Sequence, residues 1–266
     1  MRAHAPLPRF ARPWSGLLLV TSLLGASNLC LAGDLGSWQH WTDSASRAAL
    51  DGGTWVPLAG AAIIAAGGWD HAWQRSAAEH GYLFGEDGED ASNDLLTAST
   101  LIYAASALTA APEGETFTDA LAWKAENLAV FVASKGAVDA LSGEIKEASG
   151  RDRPDGVPDD AFPSRHGATS AAQTAMTRRN LDYIDMDPAL RDAAKVGLHA
   201  LDGLTGLARI EADQHYPTDV LAGIALGNFV SNFAFNLLLE PGAAPRYSLA
   251  VLPEQGGYTV QTQFAF

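Results

Sequence analysis

Three short stretches concentrate the side chains able to handle an oxyanion. "KEASGRDRPDG" supplies Lys146, Arg151, Arg153 and Pro154. "FPSRHGATSAA" supplies Pro163, Ser164, Arg165 and His166, and "ARIEADQHYPTD" supplies Arg209, His215 and Asp219. A phosphoryl group carries its charge on peripheral oxygens. Lys146, Arg153 and Arg209 suit them, the arginines through bidentate contacts. Ser164 either donates its hydroxyl to the anion or caps a helix starting near Gly167, whose free amides are themselves anion donors. His215 has the chemistry of a nucleophile if Asp219 fixes its tautomer, and His166 that of a proton donor to the leaving oxygen. Taken singly, each residue has a plainer reading: Lys146 as a helix-end cation, His215–Asp219 as a structural pair. His40, His71, His80 and His199 are assigned no role.

The elements that must position these residues are helical. Apolar periodicity predicts helices over roughly 54–68, 94–111, 117–146, 167–180, 188–210 and 218–240. In the third, Leu128, Phe131, Val132, Val138, Leu141 and Ile145 form one apolar face, and its last turn delivers Lys146. Asp187 followed by Pro188 reads as an N-cap with a first-turn proline. The Gly- and acid-rich stretch 81–94 reads as a solvated loop, lacking the glycine and closing glutamate of a calcium loop. None of the helices reads as a convincing membrane span, the longest being interrupted by Asn228, Ser231, Asn232 and Asn236. The expected architecture is an all-α bundle over 33–243 with a β-hairpin tail over 244–266, turning at Gly256-Gly257.

Composition narrows the partners. The 266 residues are 47% hydrophobic and 18% charged, with 17 basic against 31 acidic side chains and a formal charge of −14. That balance argues against nucleic acid and against polybasic docking on anionic lipid. Arg2, Arg9 and Arg12 precede an apolar run with no acidic residue before Asp34, which reads as a signal peptide over 1–32, cleaved after Ala32. Cleavage removes the only cysteine, Cys30, and implies a disulfide-free periplasmic protein, with peripheral membrane contact left open.

The joint pattern Lys-x6-Arg-Pro, Pro-Ser-x-His and Arg-x5-His-x3-Asp resembles the phosphatidic acid phosphatase type 2 superfamily. That family also includes bacterial acid phosphatases and vanadium haloperoxidases. The motif-bearing match covers about residues 120 to 240. The resemblance implies an all-α bundle of that type and a metal-independent phosphatase without a cofactor, inhibited by vanadate. Phosphate is then held by Lys146, Arg153, Ser164, the backbone amide of Arg165, and Arg209. His215 forms a phosphohistidine, His166 serves the leaving group and Asp219 orients His215. The substrate is a lipid phosphate or diphosphate, or a small soluble ester, and the oligomeric state stays open. Two positions depart from the pattern. Arg165 stands where the family usually has Gly, adding a fourth cation or a reach toward a second phosphate or headgroup. Ala208 stands where Ser or Gly is usual. A vanadium-dependent haloperoxidase and a non-catalytic envelope protein are the alternative readings.

Overall fold

A computed structural model describes residues 37–240 apart from 113 and 115, together with the backbone of 247–254 and 257–264. The expected signal segment lies outside the described residues. The turn of the expected hairpin lies outside them too. The backbone on either side is strand, Tyr247–Glu254 and Gly257–Phe264, so the closed hairpin stays an expectation.

The rest is helical. α1 (Trp38–Leu50) bends by 59° into α2 (Gly52–Gly67), and α3 (Asp70–His80) follows. Then come α4 (Gly88–Thr109), α5 (Phe117–Ser149), α6 (Arg165–Asn180), α7 (Pro188–Glu211) and α8 (Pro217–Leu238). Their limits have local causes. Thr116 and Ser164 accept first-turn amides of α5 and α6, and Asp187 accepts those of Ala189 and Leu190 ahead of α7. Gly150 closes α5 in the left-handed region, where a side chain would be strained.

The six expected helices are present, with α1 and α3 in addition. Stretch 81–94 differs from its reading as a loop, because α4 already begins at Gly88. Upstream, the amides of Leu83, Phe84 and Gly85 donate to the Glu211 carboxylate, which explains how an acid-rich, Gly-rich segment is held.

The centre of the bundle is α6 against α8. α6 also touches α4, α5 and α7, and α8 touches α1, α2 and α5. Of the 16 residues of α6, 13 are buried. A Cβ on Gly223 would overlap the Ser164 carbonyl, and one on Gly227 the Ala168 carbonyl, so the two helices meet backbone to backbone. By length and composition α8 could cross a membrane, but 67% of its apolar window is buried inside the protein.

The apolar face expected on α5 is not the one buried. Phe131 and Val138 are buried, but beside Asn127, Ser134, Ser142 and Lys146. Leu128, Val132 and Leu141 are 53%, 56% and 43% exposed. The inward face is selected for polar networks and for Lys146, and the larger aliphatic residues point out.

Candidate active site

Four helix ends, at the α5–α6 and α7–α8 junctions, converge on one pocket. The last turn of α5 brings Lys146, and the loop 150–164 brings Arg151, Arg153 and Asp160. The first turn of α6 brings Arg165 and His166, and the last turn of α7 brings Arg209. The connection into α8 brings His215. A cavity of about 120 Å³ is lined by Lys146, Arg153, Asp160, Arg165, His166, Arg209 and His215. Segments up to 69 residues apart in sequence thus meet around one small, strongly cationic space.

The cations are buried and only partly engaged. Lys146 is 5% exposed and Arg209 4%. Burial lowers the Lys146 pKa below its usual value, and burial with the neighbouring Arg153 lowers that of Arg209 to about 10. At about 10, the Arg209 guanidinium remains cationic at neutral pH. Nη1 of Arg209 donates to Ser92 Oγ at 3.3 Å, while its buried Nε has no hydrogen-bond partner among the described residues. A buried donor left without a partner costs about 1–3 kcal/mol, which a bound anion would recover.

Asp160 supplies the pocket with an anion of its own. Its Oδ1 lies 2.8 Å from Lys146 Nζ and its Oδ2 pairs with Arg153. Burial pushes the Asp160 carboxyl up, but Lys146 and Arg153 outweigh it and hold it below the usual carboxylate range. Sequence spacing gave Asp160 no role. Its only signal is an acid in a loop between Arg153 and Arg165.

His215 is 1% exposed, and burial keeps its pKa below the usual value against the opposing pull of Asp219. The ring is neutral at pH 7, as a nucleophilic imidazole must be. Asp219 is adjacent, but its Oδ2 stands 3.8 Å from Nδ1, beyond hydrogen-bonding distance. Its oxygens are committed elsewhere. Oδ1 accepts from Arg151 at 2.6 Å, and Oδ2 accepts from the Tyr216 amide at 2.8 Å. The expected direct bond orienting the imidazole is thus replaced here by a helix-start lock. Arg151 also binds Asp70 at 2.5 Å and Thr218 Oγ1 at 2.8 Å, and lies over the Tyr216 ring. Asp70 in turn accepts the Thr218 amide at 2.9 Å. Arg151 and Asp70 fix the start of α8, a task that only the fold reveals.

His166 Nε2 lies 2.9 Å from Asn93 Oδ1 on α4. Burial first, and then Arg209 and His215, lower its pKa to about 4, so the ring is neutral at pH 7 in the anion-free pocket. Ser164 is fully buried; its hydroxyl accepts the Gly167 amide at 3.4 Å, and its own amide donates to the Asp219 carbonyl at 2.9 Å. It is therefore a cap that also ties α6 to α8, and its side chain is not among those lining the cavity. Among the described residues no three His, Cys, Asp or Glu side chains are grouped as metal ligands would be.

No family model matches the chain, and no solved structure does. Over 90 residues, 34% of the chain, it is 33% identical to a lipid A 1-phosphatase of Porphyromonas gingivalis. The chain spans about a fifth, 19%, of the length of that relative.

Proposed function

We propose that this protein is an exported, periplasmic phosphatase that cleaves phosphate esters through His215 without a metal. The observation that carries the reading is a buried, neutral imidazole in the same 120 Å³ cavity as Lys146, Arg153 and Arg209. The likeness to a lipid A 1-phosphatase, though short, supports the same chemistry.

The chemistry follows from these groups. An incoming phosphoryl group takes the three cations as ligands, displacing Asp160 from Lys146 and Arg153, and occupies the free Nε of Arg209. His215 attacks phosphorus as the ester P–O bond breaks, giving a phosphohistidine and a leaving oxygen. His166 supplies the proton to that oxygen; burial is the main cause of its lowered pKa, and the bound dianion offsets the share due to the cations. Water, deprotonated by His166, then attacks the phosphohistidine and frees phosphate and His215. Asp219, held by Arg151, places a negative charge beside the imidazole without bonding it.

The exposed apolar side chains on α4 and α5, Leu101, Leu108, Leu128 and Val132 among them, favour a substrate met at a lipid surface over a freely soluble one. The decisive experiment is phosphate release by the full chain, wild type beside His215→Ala, with chelator, from phosphatidic acid, an isoprenyl diphosphate and small phosphomonoesters. Release by the wild type alone, falling about 10⁴-fold in the variant, is the expected result. Equal release by both, or none by a folded wild type, overturns the proposal. Vanadate should inhibit.

A further inference from the structure

A second cavity, of about 500 Å³, adjoins the anion pocket and shares Arg165 and His166 with it. Its floor is α6, where Arg165, Thr169 and Gln173 recur every four residues along one face. Lys135 on α5 and Thr100 on α4 stand on opposite walls. Nearly every polar group in it is already committed. Lys135 is paired with Asp139 at 2.7 Å, and Gln173 donates to Thr100 at 2.7 Å while accepting from Ser99. Thr169 and Arg165 are the exceptions, and of the two Arg165 carries the charge. It has no hydrogen bond or ion pair to any described residue, and it stands where the two cavities meet.

On the phosphatase reading above, the smaller cavity takes the phosphoryl group that is transferred, so whatever lies across Arg165 is the leaving group. We propose that Arg165 is a specificity-determining residue that binds a second phosphate on the leaving side, making a diphosphate ester a better substrate than the monophosphate of the same alcohol. In the step concerned, the terminal phosphorus bonds to His215 as its bond to the bridging oxygen breaks. The electron pair stays on that oxygen, which departs as a phosphate monoester held by Arg165. Water then cleaves the phosphohistidine to inorganic phosphate.

The proton requirement points the same way. A departing phosphate monoester, with a second pKa of about 6, needs far less protonation than an alkoxide. His166 stands with Arg165 where the two cavities meet and has less of a proton to supply to a phosphate than to an alkoxide.

The test compares farnesyl diphosphate with farnesyl phosphate, following inorganic phosphate released by the full chain as wild type, Arg165→Ala, Arg165→Gln and Arg165→Lys. The wild type should prefer the diphosphate at least tenfold in kcat/KM. The Ala and Gln variants should bring that ratio close to one, and Lys should keep most of it, since a point cation still meets a phosphate. A wild-type ratio near one overturns the inference while leaving the phosphatase reading intact. So does an equal loss on both substrates in the Ala and Gln variants. No release from either substrate by the wild type, or release that survives His215→Ala, overturns the phosphatase reading and this inference with it.

Discussion

On the outward faces of α4 and α5 stand Leu101, Leu108, Leu121, Leu128 and Val132, all exposed. Between α6 and its neighbours stand Ser170, Thr174, Arg178, Asp202 and Asn228, all buried. The interior set is not a collection of stray polar groups. Asp202 accepts from Ser170 at 2.8 Å and from Thr174 at 2.7 Å, and Arg178 reaches Thr174, Asp202 and Asn228. Asn228 continues to Asp51 and Thr54 on the far side of α8. The difference teaches that this bundle joins small apolar clusters with buried hydrogen-bond networks and close backbone contact, while several larger aliphatic side chains of α4 and α5 face out. Small and polar interior residues let helices approach closely enough to bring four helix ends to one 120 Å³ pocket.

That contrast can be broken at either end. The largest effect should come from Asp202→Ala, which strands the buried Arg178 guanidinium, at about 3–5 kcal/mol in chemical denaturation. A loss below about 1 kcal/mol would show that the network is ornamental. Gly227→Leu should cost about 3 kcal/mol by forcing α8 off α6, and should lower activity in whatever protein still folds. Asp160→Asn should leave the fold alone and tighten inhibition by inorganic phosphate about fivefold, because it removes the competing charge at Lys146 and Arg153. Weaker inhibition would make Asp160 a partner of the phosphate rather than its rival.

The histidines predict a smaller, pH-dependent effect. His166 and His215 have folded pKa values below 6.5, so the unfolded chain binds more protons as pH falls through that value. Thermal stability should therefore decline from pH 6.5 toward about 4, and the decline should be shallower in His166→Asn. An unchanged slope would mean that other groups govern it. The smallest effect belongs outside. Leu128→Gln should shift stability by less than about 0.5 kcal/mol in water, and a loss above about 2 kcal/mol would mean that this face is covered in solution.

Spacing in the sequence was enough to bring Lys146, Arg153, His166, Arg209 and His215 together, because a residue at a helix end advertises itself by the caps and prolines beside it. Asp187-Pro188 is such a signal and caps as expected, and Ser164 takes the capping alternative rather than lining the cavity. What spacing could not supply were partners lying far away in the chain. Arg151 finds Asp70 across 81 residues and Thr218 across 67, and His166 finds Asn93 across 73. The apolar stripe on α5 misled for a different reason. Helical periodicity marks that two faces differ, but which one turns inward depends on what the neighbouring helices offer, here Asn180 to Asn127 and α6 to Phe131.

The paired contacts at Gly223 and Gly227 have a mechanical meaning. One fulcrum would let α8 rock on α6; two, a helical turn apart, define an axis and forbid both rocking and sliding. His166 rides at the head of one helix and His215 at the threshold of the other. The gap between the two imidazoles is thus set by how closely the two backbones meet.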